Sequence, residues 1–181
     1  MQDEYIYASQ AKNLPYEEQS FSNYIFSWVM SLTNNCGTEF YTCTKSINSV
    51  LFLGTVAITF LIAARFLSFR TSVFVASVAA LSPVAVPVSY FMPETMYFFM
   101  MNLTIWITLV VSKQTHWLSW SASGLLLGMT ALVKPHALFL LPAFAIFAFL
   151  YAFKKSDSGL LQAFRASATV VSTFLIAKFS I

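Results

Sequence analysis

Side chains that could perform chemistry are concentrated at three places in this sequence. Asp3 and Glu4 are adjacent near the N-terminus, Glu94 precedes a long apolar run, and Lys134 and His136 flank a proline. A carboxylate can take a proton from an incoming hydroxyl or amine, and a lysine ammonium can neutralise a phosphate leaving group. Together these residue types predict a site for a lipid-phosphate substrate at a membrane surface.

Each of these residues also has a simpler structural role, which the sequence alone leaves open. A terminal acidic pair such as Asp3 and Glu4 is most often solvated. Glu94 fits the start of a helix, where an anion gains roughly 0.3–1 kcal/mol from the helix dipole. Lys134 can extend its ammonium to the membrane interface without further function, and a histidine such as His136 is more often structural or exposed than catalytic.

The composition predicts a membrane protein with several spanning helices. Of its 181 residues, 58% are hydrophobic and 9% are charged, whereas about a quarter of the residues in a soluble domain are charged. The net charge of +3 comes without a basic arm, so we expect no nucleic-acid partner. The sequence has no metal-ligand spacing, so no cofactor is expected, and a requirement for a divalent metal ion stays open.

Six apolar stretches follow the polar N-terminal part, each near the length that spans a bilayer. They predict an all-α polytopic helical bundle of about six transmembrane segments. Residues 1–45 are expected to form an external loop with juxtamembrane amphipathic helices, and residues 46–181 the membrane bundle. Prolines predict a kink in the second stretch, and small residues predict close helix contact in the fourth. The stretches are 47–64, 73–89, 95–111, 117–133, 137–153 and 166–181.

Two short helices are predicted within the external loop. The first covers residues 3–12 and ends before Pro15, because the residue preceding a proline avoids the helical region. The second follows Ser20, and its apolar stripe fits docking in the membrane interface and packing on the bundle equally well. The stripe consists of Phe21, Tyr24, Ile25, Trp28, Val29 and Leu32. Downstream, Cys36 and Cys43 either form a disulfide in an oxidising compartment or stay as thiols.

The basic residues set the expected orientation, because cytoplasmic loops hold the excess of lysine and arginine. With the N-terminal segment outside, the outer basic residues are Lys12, Lys45 and Lys134, and the inner ones are Arg65, Arg70, Lys113, Lys154, Lys155 and Arg165. Lys178 lies within the last apolar stretch and is left out of this comparison. We therefore expect an integral protein of the cell (inner) membrane, with Asp3, Glu4, Glu94 and Lys134 on a common outer or periplasmic face.

Three short motifs resemble the N-terminal part of GT-C membrane glycosyltransferases, in particular dolichyl-phosphate-mannose protein mannosyltransferases and aminoarabinose transferases. They are the Asp-Glu-x-x-Tyr segment from Asp3 to Tyr7, the segment 89–94, and the Gly-rich run 124–135 that ends in Lys134-Pro135. The resemblance implies a polyprenyl-phosphate-linked sugar donor, used on the outer side of the membrane with an acidic loop residue as base or acceptor-binding group. The acceptor is not indicated.

The resemblance also implies roles for particular residues. Asp3, with Glu4 beside it, matches the catalytic loop carboxylate, and Glu94 is similar to an acidic residue at the start of a later helix. Lys134 is similar to the basic residue of a basic-Pro pair, and we assign Glu94, Lys134, His136 and Tyr7 to substrate binding. The family also has a helix before the loop carboxylate and further helices after the sixth run, which a partner chain or a longer gene product is expected to supply.

Two other classes of protein stay open at this point. A transporter-like bundle would need ionisable residues in the middle of its helices, and Lys178 is the only charged residue inside a spanning run. A non-catalytic membrane subunit would need only helices that pack against a partner.

Overall fold

A computed structural model describes residues 2–14, 23–81, 87–114, 116–155 and 159–179. These residues form helices and no strands, so the predicted all-α bundle is confirmed. The α-helices are α1 (Gln2–Asn13), α2 (Tyr24–Ser31), α3 (Phe40–Ala63), α4 (Phe69–Ala80), α5 (Glu94–Val111), α6 (Ser121–Val133), α7 (Leu141–Lys155) and α8 (Leu160–Phe179).

Each predicted apolar stretch overlaps one of the helices α3 to α8. Four helical segments among the described residues are long and apolar enough to cross a membrane, namely Tyr24–Ala63, Glu94–Val111, Pro135–Lys154 and Leu160–Phe179. The helices Phe69–Ala80 and Trp117–Val133 are apolar but shorter. The number of spans, predicted as about six, therefore stays a prediction.

The chain divides into two compact units, Met1–Asn102 and Leu103–Ile181. We call them the N-terminal unit and the C-terminal unit and describe each by itself. The first half of α5 belongs to the N-terminal unit and the second half to the C-terminal unit. The boundary predicted after residue 45 separates an external loop from a membrane bundle; α3 runs through this position, and that boundary stays a prediction.

In the N-terminal unit, α1 ends as the sequence predicts, at Asn13. The face of α2 that is buried differs from the predicted one. Phe26 and Met30 are fully buried with Ser27 between them, whereas Trp28 and Leu32 of the predicted apolar stripe are 55% and 56% exposed. Tyr24, Ile25 and Val29 of the stripe are half-buried, so the choice between docking in the membrane interface and packing on the bundle stays a prediction. Hydrophobic spacing identifies an apolar face, but it does not say whether protein or lipid covers it. The stripe residue Phe21 and the N-cap expected at Ser20 lie outside the described residues.

A 3₁₀ helix, Leu32–Glu39, joins α2 to α3. Gly37 has φ of 56°, a left-handed conformation that favours glycine because it lacks a Cβ. A disulfide joins Cys36 to Cys43, with Cα atoms 6.6 Å apart. Of the two alternatives for these cysteines, the disulfide is the one that the structure contains. It ties the 3₁₀ helix to the first turn of α3.

The exposed face of α3 changes from polar to apolar along its length. Lys45, Ser46 and Ser49 are exposed in the first turns, and Ser49 Oγ donates a hydrogen bond of 2.8 Å to the Lys45 carbonyl. From there on, the exposed residues are apolar, with Val50 68% and Leu53 67% exposed. This pattern matches a helix whose first turns stand in water and whose remainder meets lipid.

The second predicted stretch is shorter as a helix than expected. Ser68 caps the start of α4 by accepting a hydrogen bond from the Thr71 backbone N–H, and the helix ends at Ala80. Pro83, one of the two prolines behind the predicted kink, lies outside the described residues. Pro87 begins a short 3₁₀ turn in which the Tyr90 N–H donates to its carbonyl.

In the C-terminal unit, α6 packs closely against α8 at two glycines. A Cβ added to Gly128 would lie 2.6 Å from Ala177 Cβ and 2.9 Å from the Phe174 carbonyl oxygen, and one added to Gly124 would lie 3.0 Å from Val170 Cα. The predicted close contact at Gly124 and Gly128 is confirmed, because only glycine leaves room for the α8 backbone there.

Buried hydroxyl groups join α6 to the second half of α5. Thr104 and Thr130 lie 3.3 Å apart through their Oγ1 atoms, and Thr108 donates a hydrogen bond of 3.0 Å to Ser123 Oγ. Thr104 and Thr108 are one turn apart on α5, and their partners follow in reverse order on α6. The two helix segments therefore run antiparallel, with polar contacts at two levels.

Candidate functional site

The acidic segment near the N-terminus lies in α1. The structure describes the backbone of Asp3 within this helix but not its side chain. Glu4 is half-buried, and its Oε1 accepts a hydrogen bond of 3.0 Å from the backbone N–H of Phe91. Glu4 is thus bonded to the segment that leads into α5, three residues before Glu94. The segment with Glu4 and the segment that leads to Glu94 are therefore in contact within the N-terminal unit.

Phe91 lies at the centre of an aromatic cluster. It is 1% exposed, and its ring stacks on Phe40 at 5.3 Å and meets Phe26 edge-on at 5.6 Å between centroids. Tyr7 packs edge-on against Phe26 at 5.8 Å, which brings a second predicted site residue into the same cluster. Sequence analysis missed Phe91, whose only signal was its place in the aromatic segment before Glu94.

The C-terminal end of α1 is held as well. The ammonium of Lys12 lies 4.8 Å from the centroid of the Phe40 ring and 5.8 Å from that of Tyr41, both cation–π distances. Asn34 Nδ2 donates a hydrogen bond of 3.1 Å to the Ala11 carbonyl. Glu4 near the start of α1 and Lys12 and Ala11 near its end all contact other parts of the N-terminal unit. The helix that carries Asp3 is therefore fixed on this unit at both ends.

Glu94 is the first residue of α5, where the free backbone N–H groups and the helix dipole favour a negative charge. The predicted helix-start position is therefore confirmed. The backbone just before α5 is held by Asn48, a fully buried residue of α3. Its Nδ2 donates a hydrogen bond of 3.0 Å to the Tyr90 carbonyl. Sequence analysis also missed Asn48, whose signal was an amide inside an apolar helix.

Three buried polar atoms in this part of the chain have no hydrogen-bond partner among the described residues. They are Asn48 Oδ1, Thr95 Oγ1 and Ser27 Oγ. Each is on or beside a residue already placed at the site: Asn48 binds Tyr90, Thr95 follows Glu94, and Ser27 follows Phe26. Leaving such groups unsatisfied costs about 1–3 kcal/mol each, so these atoms can bind water or the hydroxyl groups of a substrate.

The predicted cations lie in the C-terminal unit. Lys134 is the C-cap residue directly after α6, with an extended backbone (φ −149°, ψ 122°), and it is half-buried. Pro135 starts the following 3₁₀ helix, Pro135–Leu140, and His136 is exposed within it. Lys178, in the last turn of α8, donates a hydrogen bond of 3.3 Å from Nζ to the Ala131 carbonyl. A third cation, which sequence analysis set aside, thus reaches the last turn of α6.

The predicted residues therefore fall into two groups. Glu4, Tyr7 and Glu94 lie in the N-terminal unit and are linked through Phe91 and its cluster, whereas Lys134 and His136 lie in the C-terminal unit. The common outer face expected for Glu94 and Lys134 stays a prediction. Across the residues that the structure describes, no three His, Cys, Asp or Glu side chains are grouped so as to hold a metal ion.

A family model described as dolichyl-phosphate-mannose-protein mannosyltransferase matches residues 21–178. The matched range contains Glu94, Lys134, His136 and Lys178, and it begins after Asp3, Glu4 and Tyr7. No curated protein and no solved structure matches the chain.

Proposed function

The chain belongs to the dolichyl-phosphate-mannose-protein mannosyltransferase family, and from this premise we propose that it transfers a sugar from a polyprenyl-phosphate donor to an acceptor at the outer membrane face. Membership makes it a membrane glycosyltransferase of the GT-C type. The polyprenyl-phosphate donor, the outer membrane face and the catalytic and binding residues are proposed.

In the proposed reaction the acceptor's hydroxyl or amine attacks the anomeric carbon of the sugar. The bond from that carbon to the phosphate oxygen breaks, and polyprenyl phosphate leaves. Asp3 takes the proton from the acceptor as general base. Glu94 and Tyr7 position the acceptor, and Lys134, with His136 beside it, stabilises the negative charge on the departing phosphate.

The hydrogen bond between Glu4 and Phe91 is the observation that best supports this assignment. It fixes α1 against the segment that leads to Glu94, so that Asp3 is part of a held helix rather than a loose terminus. Because Glu4 Oε1 is engaged by a backbone N–H, we assign Glu4 to positioning rather than to proton transfer. Asp3 and Glu4, which were predicted together as the catalytic carboxylates, are therefore given different roles.

The disulfide supports the proposed sidedness. Disulfides persist in oxidising compartments such as the periplasm and are rare in the cytosol. The Cys36–Cys43 bridge lies between α2 and α3, next to the segment whose Asn34 holds α1. An outer location for this bridge puts α1 in the same compartment, in agreement with the distribution of basic residues.

A transporter receives less support from the same structure. Transport sites near the middle of the bilayer need ionisable groups at mid-helix. Lys178, the charged residue that the sequence placed inside a spanning run, lies in the last turn of α8. It is close to the end of the candidate span Leu160–Phe179 and not at its middle.

A transfer assay tests the proposed function. Membranes that contain the full chain are supplied with a labelled polyprenyl-phosphate sugar and candidate acceptors, and unchanged protein is compared with Asp3→Asn and Glu94→Gln. Loss of a general base is expected to lower the rate by about 10²–10⁴-fold. Glu39→Gln is the matched control, because Glu39 is an exposed carboxylate of the same unit that accepts a hydrogen bond from Thr42. Full activity in Asp3→Asn and Glu94→Gln would show that the assignment is wrong.

A further inference from the structure

Lys178 is a cation that neither the sequence motifs nor the family match assigns to the site. It is half-buried in the last turn of α8, and its Nζ lies 3.3 Å from the Ala131 carbonyl oxygen. Ala131 is three residues before Lys134, the C-cap residue of α6. The side chain of Lys178 therefore lies beside the last turn of α6, the turn that Lys134 follows.

The residues of the C-terminal unit that the structure describes are strongly basic. Its described residues include six lysines and arginines and no Asp or Glu: Lys113, Lys134, Lys154, Lys155, Arg165 and Lys178. A partly buried cation is normally paired with an anion. For Lys178 the partner is a backbone carbonyl, which carries only a partial negative charge.

The carbonyl contact explains part of this position but not all of it. A lysine at a helix C-terminus interacts favourably with the helix dipole, and that interaction stabilises the end of α6. An ammonium group, however, has three donor hydrogens, and the Ala131 carbonyl accepts one of them. The remaining donors suit the oxygens of a phosphate, which binds several N–H groups at once.

We propose that Lys178 and Lys134 together bind the phosphate group of a lipid at the end of α6. This inference rests on the proposed function in one respect, since it takes the polyprenyl-phosphate donor as the source of that phosphate. An ordinary anionic phospholipid carries the same chemical group. Lys178 acts as a binding residue that holds the phosphate against the end of the helix, and it takes no part in proton transfer.

A binding measurement tests the proposal without any sugar transfer. The full chain is placed in phosphatidylcholine vesicles, and its affinity is measured for three added lipids: a polyprenyl monophosphate, the uncharged polyprenol, and phosphatidylglycerol. Lys178→Gln removes the charge while keeping an amide donor for the Ala131 carbonyl. We expect it to weaken binding of the polyprenyl monophosphate about tenfold or more, with Lys178→Arg keeping most of the affinity.

The matched control is Lys154→Gln. Lys154 is an exposed lysine at the C-terminal end of α7 in the same unit, so its substitution removes the same charge from a comparable helix position. It is expected to leave the affinity unchanged. Thermal unfolding in the same vesicles shows whether each variant is folded. In the unchanged chain, the polyprenyl monophosphate should also protect Lys178 from an amine-modifying reagent, as read by mass spectrometry.

The outcomes separate the alternatives. An unchanged affinity in folded Lys178→Gln, or modification of Lys178 that the lipid does not slow, overturns the proposal and leaves Lys178 as a helix cap. Equal weakening for phosphatidylglycerol rejects the donor as the specific ligand. If the unchanged chain transfers no sugar but Lys178→Gln still weakens binding of the polyprenyl monophosphate, the phosphate site is supported and the proposed function fails.

Discussion

Glu4 Oε1 accepts a hydrogen bond of 3.0 Å from the backbone N–H of Phe91, a residue 87 positions further along the chain. Phe91 in turn lies in the cluster with Phe26 and Phe40, and it precedes Glu94 by three residues. One carboxylate therefore connects the N-terminal helix to the start of α5.

Replacing Glu4 should separate its structural role from its charge. Glu4→Ala leaves the Phe91 N–H without its acceptor, and we expect a loss of about 1–3 kcal/mol in the free energy of unfolding. Glu4→Gln keeps a carbonyl oxygen at the same place and should lose less. Denaturant unfolding in detergent measures both, with the exposed Glu39→Ala as control. Equal stability of Glu4→Ala and the unchanged chain would contradict the role given to this bond.

Substituting a glycine of α6 should weaken the packing of α6 against α8 and lower the stability of the fold. At Gly124 the nearest atoms include the Val170 backbone, which cannot move away as a side chain can. Gly124→Ala is expected to cost about 1–3 kcal/mol. Gly54→Ala is the comparison, because the atoms nearest to its Cβ belong to the ring of Phe99, at 2.7 Å, and that ring can shift. Thermal unfolding checks the order, and a larger loss at Gly54 would argue against close backbone packing at Gly124.

The exposed stripe of α2 should lie in the membrane interface. Trp28 and Leu32 are exposed one turn apart on the side of α2 opposite the buried Phe26 and Met30, as in helices that dock on a bilayer surface. We expect brominated lipids to quench Trp28 fluorescence, measured as the difference between the unchanged chain and Trp28→Phe. If that difference signal is quenched by an aqueous agent and not by the lipids, the stripe meets water.

The cysteine pair should be reachable from outside the cell. In intact cells, a membrane-impermeant thiol reagent is expected to label Cys36 and Cys43 only after reduction, because the two form a disulfide. Cys36→Ser with Cys43→Ser controls for labelling elsewhere. Labelling that needs permeabilised cells would place this segment in the cytoplasm and reverse the proposed orientation.

The fold was largely predictable because long apolar runs and prolines act locally. Each of the six apolar stretches overlaps a helix, and α1 ends shortly before Pro15. The buried face of α2 was not predictable, since Trp28 is equally apolar whether it meets lipid or protein. The hydrogen bond between Glu4 and Phe91 and that between Lys178 and Ala131 join residues distant in sequence, and no local pattern indicates which polar groups will meet.

The paired hydroxyls of α5 and α6 have a consequence for motion. Thr104 contacts Thr130, and Thr108 contacts Ser123, so hydrogen bonds one helical turn apart join α5 to α6. Sliding one segment along the other by a turn would break both contacts between the helices, while Thr108 and Thr130 would keep the hydrogen bonds that they donate to the Thr104 and Leu126 carbonyls of their own helices. These two contacts between the helices favour one axial register, so we expect a catalytic cycle that opens a path for lipid to place its movement elsewhere in the bundle.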